Sequence, residues 1–260
     1  MTAILKTNSK NRKFESITQF TRKYTVRLAR NQAEIEEALK LRFQVFNIEL
    51  GEGLASSYTN NMDVDEFDAQ CDHLIVVENE TAEVIGTYRL QDNNMAEQAM
   101  GFYTMREFQI NLLPSEILLN AVEAGRACIR KDHRNSRTLY LLWKGIAKYL
   151  SYSGRRHLFG CCSIPSQDDY EGWQYYRYLN KHDFVDTNML IPVQPDYICK
   201  DKIYIKKSDP ILPNLFTLYL KLGAKVCSVP AIDQEFKTID FLILLDLQNL
   251  STETKQLFFT

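Results

Sequence analysis

Val122-Glu123-Ala124-Gly125-Arg126-Ala127-Cys128-Ile129, followed by Arg130-Lys131-Asp132-His133-Arg134-Asn135-Ser136-Arg137, is the stretch on which the fold turns. An apolar run that begins over Ile117 to Leu119 reads as a buried strand leading into it. Beyond it Leu139, Leu142, Trp143, Ile146, Tyr149 and Leu150 recur at helical spacing, and Asn135 or Ser136 can cap that helix. The unit is therefore strand, basic turn, helix start, with a glutamate inside the strand. A carboxylate buried there costs free energy unless it is paired or used. Amide donors and cations at a helix start invite an anion. Together they point to a site that handles a proton and a phosphate.

With 260 residues and 45% hydrophobic content, the chain can bury one substantial core. The expected division is a flexible basic leader over 1–23, one domain over 24–250 and a tail over 251–260. The leader sets six cations against one acid, Glu15; it is either a solvated arm or a contact for anionic lipid or an acidic protein. The net charge of -2 argues against bulk nucleic-acid binding. Six cysteines include no C-x-x-C pair and no secretory core precedes them, so reduced thiols in a cytoplasm are expected. Phe241 to Leu245 is too short an apolar run to cross a bilayer.

Upstream, Tyr24 to Ala29 alternates as a first strand, and Asn31 with Glu34 makes a capping-box-like start for a helix from Gln32 to about Phe46. Arg42 falls on that helix's apolar stripe with Ile35, Leu39 and Phe46. Either it snorkels from the core edge, or it aims inward at the acids of Asp63-Val64-Asp65-Glu66-Phe67-Asp68. This acidic run lacks the central glycine and distal glutamate of a calcium loop, so no metal is assigned to it. Two strands, 72–78 and 83–90, form a hairpin, and 91–116 reads as an insertion. Further strands are expected at 156–164, 197–205 and 238–247, and helices at 168–181 and 215–222. The pattern implies an α/β fold with a mixed sheet and helices on its faces.

The order Arg42, Phe46, Asp65, Asp68, Gly86-Thr87-Tyr88-Arg89-Leu90, Glu123, Arg126 resembles the acyl-homoserine-lactone synthases of the GNAT acyltransferase superfamily. Cys71-Asp72-His73-Leu74, Gly101-Phe102-Tyr103, Gly125-Arg126-Ala127-Cys128, Leu141-Leu142-Trp143-Lys144-Gly145, Leu158-Phe159-Gly160-Cys161, Leu222-Gly223-Ala224-Lys225-Val226 and Asp240-Phe241-Leu242 are closer to a sister family. These are the ornithine N-acyltransferases of ornithine-lipid synthesis, often labelled hemolysin-like, and the similarity runs from about residue 24 to 250. The resemblance implies a GNAT-type strongly twisted sheet, a long-chain acyl thioester donor and an amino acid acceptor, with ornithine first. The alternatives are another amino acid acceptor, homoserine-lactone synthesis, or, outside enzymes, a membrane-active protein. No bound cofactor is expected, and the setting is cytoplasmic with possible peripheral contact to a membrane.

Coenzyme A-dependent members of that superfamily carry R-x-x-G-x-G/A at the central helix. The run from Arg134 instead places Arg137 and Leu139 at the glycine positions. Side chains crowd the cradle, and Arg130, Lys131, Arg134 and Arg137 offer a basic surface suited to acyl carrier protein and the phosphate of its pantetheine arm. Acylating an amine needs a base, for which Glu123 is the candidate. Backbone amides near Ala127 and Cys128 are candidates to polarise the thioester carbonyl, with the Cys128 thiol given no nucleophilic role. Small residues at 124, 125, 127 and 160–162 leave room for an acyl chain or merely pack closely. Alternation puts Glu123 and Arg126 on opposite faces, and a bulge near Gly125 would re-aim one of them. Arg126 could then join Arg42, Arg89, Asp65 and Asp68 in an ion-pair network. For a diamino acceptor the candidate acids are Asp65, Asp68 and Asp169, with Arg42 and Arg89 for its carboxylate.

Overall fold

The computed structural model describes residue 13, residues 15–201 and residues 208–259. Most of the basic leader and residues 202–205 of the expected 197–205 strand lie outside the described residues. The strands are β1 (Gln19–Phe20), β2 (Tyr24–Leu28), β3 (Asp72–Glu78), β4 (Val84–Asp92), β5 (Ala121–Ile129), β6 (His157–Ile164), β7 (Lys225–Val226), β8 (Ala231–Asp233) and β9 (Thr238–Asp246). They form one mixed sheet in the order β1-β2-β3-β4-β5-β6-β9-β7, with β8 also on β9. Every pairing is antiparallel except β5 with β6.

The helices are α1 (Gln32–Phe43), α2 (Asn93–Glu97), α3 (Ser115–Leu119), α4 (Ser136–Ser153), α5 (Asp169–Lys181), α6 (Asn214–Lys221) and α7 (Thr252–Phe259). A parallel pair needs a crossover, and α4 supplies it between β5 and β6. Asn135 caps α4 by accepting from the backbone N–H groups of Arg137 and Thr138. Gly145 lets α4 lie close on the sheet, because a Cβ there would come within 2.8–2.9 Å of Leu74 and Val26 side-chain carbons.

Several expectations are corrected. Ile117 to Leu119 belongs to the short helix α3, not a strand: Pro114 precedes it and the ladder starts only at Ala121. The α1 hydrogen bonding widens into a π turn over Gln44–Glu49. Glu34 does not close a capping box on Asn31; its carboxylate accepts from the Arg30 N–H and pairs with Arg27. Residues 195–197 form one 3-10 turn, and Ile198 makes a single bridge to Ala231 instead of entering a strand. Nor are the two ends mere tails. Gln19–Phe20 pairs with β2, and α7 packs Phe258 against Tyr140 and Trp143 of α4.

Candidate active site

The parallel pair is short. Ala121, Val122 and Glu123 pair with His157, Leu158 and Phe159, and beyond these both strands continue without pairing to each other. Gly160 stands at the fork, where a Cβ would meet the Ala124 carbonyl oxygen at 2.3 Å. A cavity opens beyond it, and Ala124, Gly125, Ala127, Cys161 and Cys162 line its floor. Leu215, Phe216, Tyr88 and Tyr219 give it an apolar wall.

On the other side of β5, the register with β4 jumps between Thr87, opposite Cys128, and Arg89, opposite Gly125. Arg126 and Ala127 thus stand against Tyr88 alone, and Arg126 takes a left-handed φ of 50°. A two-against-one bulge leaves one residue without its ladder bonds. The expected bulge near Gly125 is therefore present one residue on, and it turns the Arg126 guanidinium toward the acids that precede β3.

Arg42 is 0% exposed and aims inward, bonding Asp63 through Nε at 2.6 Å and Asp68 through both Nη atoms at 2.6 and 3.2 Å. Arg89 Nη1 reaches Asp65 at 2.5 Å and Asp68 at 3.1 Å, and Arg126 reaches Asp65 at 3.1 Å and Asp63 at 3.4 Å. Three guanidinium groups thus meet three carboxylates, so the network is neutral within itself. Burial opposes ionisation of Asp65 and Asp68, but the arginines outweigh it and hold both below the ordinary carboxylate range. Arg126 also lies over the rings of Phe236 at 4.3 Å and Tyr103 at 4.8 Å. Phe46 packs edge-on against Phe236 and lines the cavity.

Glu123 points into the same cavity. Its carboxylate accepts from the Thr104 N–H at 2.7 Å, the Thr104 hydroxyl at 2.5 Å and the Tyr103 N–H at 3.0 Å. Burial raises its pKa, and the Thr104 donors act against that rise. The segment 91–116, expected as an insertion, is thereby tied over the fork by Glu123. Cys128 is buried beside Leu41, Val45, Phe46 and Phe236, and burial pushes its thiol up to about 12, as suits a packing residue.

The four basic residues do not converge on one anion site. Arg134 makes a two-point pair with Glu49 and bonds the Ile129 carbonyl, while Arg130 pairs with Glu83 and Asp132. Lys131 and Arg137 remain exposed at the start of α4. Asp65 and Asp68 are spent on arginine, and Asp169 sits in the first turn of α5, accepting from the Lys200 N–H. The sequence reading did not select Glu52, Thr104, Glu107, Asp233 or Asp240, all of which but none of the exposed basic pair line the cavity. Asp240 carried a readable signal, an acid inside the apolar strand Thr238–Asp246, the same anomaly that marked Glu123. Glu107 and Asp233 carried none.

Residues 41–144 match a model of the acetyltransferase (GNAT) domain. An L-ornithine N(alpha)-acyltransferase of Rhizobium meliloti (strain 1021) is 34% identical over 238 residues, spanning 86% of this chain and 80% of the relative. A protein of the same name from Brucella abortus (strain 2308) is 33% identical over 244 residues, spanning 87% and 85%. The AHL synthase LasI shares the fold, with a TM-score of 0.50 at 13% identity over 91% of this chain and 94% of that one. Forked strands, bulge and sequence likeness lead to one conclusion: this chain is an acyltransferase of GNAT fold and belongs to the L-ornithine N(alpha)-acyltransferase family.

Proposed function

We propose that the chain moves a long-chain acyl group from an acyl carrier protein thioester to the α-amino group of ornithine. The observation that carries this is the cavity at the β5–β6 fork. It joins a buried carboxylate, a bulged strand and an apolar wall beside small residues. An α-ammonium of pKa ~8–10 is mostly protonated at neutral pH. Glu123 takes its proton, directly or through water, and the freed nitrogen attacks the thioester carbon. The bulge at Arg126–Ala127 presents a backbone N–H to the resulting oxyanion, a contribution typically of roughly 3 kcal/mol. Collapse breaks the carbon–sulfur bond, and the leaving thiolate takes up the second proton that the attacking nitrogen sheds as it becomes an amide. Arg126 holds the bulge in place through Asp63 and Asp65.

The donor reading rests on Arg137 and Leu139 at the helix start, where a nucleotide pyrophosphate would need bare amides. Asn135 already occupies two of those amides, which supports a carrier held by surface charge. Among the described residues no helix is long and apolar enough to cross a membrane. Peripheral membrane contact follows only from the amphiphilic product. The test is to incubate the purified chain with ornithine and acyl carrier protein thioester, then with the matching coenzyme A thioester, and analyse products by mass spectrometry. N-acylornithine from the carrier is the expected product; absence of any N-acylated amine with either donor overturns the reading.

A further inference from the structure

The ion-pair network consumes its own charges, yet the cavity holds a second acidic group that makes no ion pair among the described residues. Glu107, Asp233 and Asp240 each offer an oxygen within 4.8 Å of the others, and all three line the cavity. They are 1%, 4% and 3% exposed, and none forms an ion pair among the described residues. Proximity of acids alone would not make a site. Glu107 supplies the independent mark: its Oε1 accepts only from the Cys161 thiol at 3.4 Å, and its buried Oε2 has no hydrogen-bond partner. A buried carboxylate oxygen without a donor is costly, and a ligand N–H reaching Glu107 Oε2 would remove that cost.

The neighbouring acids are held ready for such a donor. Asp240 accepts from the Ser163 and Thr238 hydroxyls, and Asp233 Oδ1 from the Glu235 and Phe236 N–H groups at 2.9 Å. Three oxygens at the outer limit of 4.8 Å lie about 2.8 Å from their common centre, the range of a charged N–H···O bond. An ammonium group has three donors to give them. Glu123 and this cluster are connected through Thr104 and Cys161, whose hydroxyl and thiol lie 3.8 Å apart. Both ends line the same cavity.

We propose that Glu107, Asp233 and Asp240 form the subsite that binds the distal ammonium of a diamino acid while its α-amine faces Glu123. This rests on the amine-acylating reading above and adds to it the residues that choose the acceptor. It also explains why Asp65 and Asp68, the acids beside the arginines, do not serve: their oxygens are already taken.

The test compares ornithine with norvaline, which has the same carbon chain without the distal ammonium. Wild-type enzyme is expected to favour ornithine in kcat/KM by at least ~100-fold, since a buried polar site rejects a ligand that leaves it unpartnered. In Glu107→Gln and Asp240→Asn that ratio should fall below ~10. A ratio unchanged in both variants overturns the subsite, as does a wild type that acylates both amino acids equally while remaining active. Failure to acylate any amine removes the function itself, a different outcome. Restoration of chelator-inactivated enzyme by Mg²⁺ or Mn²⁺ would make the cluster a metal centre and overturn the ammonium assignment. Should the variants not fold, wild-type thermal shifts decide: ornithine raises Tm and norvaline does not, and equal shifts refute the proposal.

Discussion

Glu123 and Arg42 are both charged residues inside apolar surroundings, but their environments assign them different tasks. Arg42, 0% exposed, bonds one oxygen of Asp63 and both oxygens of Asp68. Replacing it with methionine removes the cation and leaves two buried carboxylates, so Arg42→Met should lose about 3–5 kcal/mol in denaturant unfolding; a loss under about 1 kcal/mol would mean the network is not structural. Glu123 faces the cavity, and Glu123→Gln keeps the shape while removing the carboxylate proposed as the base. We expect turnover to fall at least ~100-fold with folding retained, and near-normal turnover would take Glu123 out of the mechanism. The second set of acids fixes a pH dependence. Burial pushes the Asp240 carboxyl from 3.8 up to about 6, and Glu52 from 4.5 up to about 7. Between those values the folded chain holds protons that the unfolded chain has released, so stability falls as pH rises from about 4 to about 7. Asp65 and Asp68 have the opposite sign, and their contribution is lost at lower pH as they protonate. Tm measured against pH should show the decline, and Asp240→Asn should flatten its lower part; identical slopes would contradict the assignment.

At the scale of elements, the fork between β5 and β6 determines where the cavity lies. A strand pair that remained zipped would bury the small residues as ordinary packing. Here pairing stops at Glu123 and Phe159, and Gly160 admits the Ala124 carbonyl into the space a side chain would need. Gly160→Ala should therefore force the strands apart and cost about 1–3 kcal/mol, with lowered turnover. Gly125→Ala is the control, since its Cβ would meet nothing within 4 Å. Equal thermal stability of the two variants would show that the close approach at Gly160 is unimportant.

For the whole molecule, the net charge of -2 conceals a division between a paired interior and a small basic surface at the start of α4. Of the four residues expected there, Arg130 and Arg134 have acidic partners, which leaves Lys131 and Arg137 as the exposed cations outside the ion pairs described. Reversing both charges should raise KM for an acyl carrier protein several-fold more than it lowers kcat, with the effect fading at high salt. An unchanged KM measured by steady-state kinetics would place the carrier elsewhere.

Local pattern was enough for much of this protein. A glutamate in an apolar strand, a capped amphipathic helix after a basic turn, and an arginine on an apolar helix face each break or satisfy a rule that operates over a few residues. The sequence by itself thus determined the mixed α/β class, the strand–turn–helix unit, Glu123 as an acid inside an apolar strand and the need for a bulge to re-aim Arg126. Tertiary structure decided which charges remain available. Asp65 and Asp68 cannot be separated by sequence from Glu107, Asp233 and Asp240, since pairing depends on neighbours far away in the chain, 21 to 61 positions for the arginines of Asp65 and Asp68, brought together only in the folded sheet. The same holds for Arg134, whose partner Glu49 lies across the chain, and for α3, where a preceding proline and the sheet's starting register overrode an apolar run. Periodicity reports which face is buried; only the folded arrangement reports what each buried charge meets.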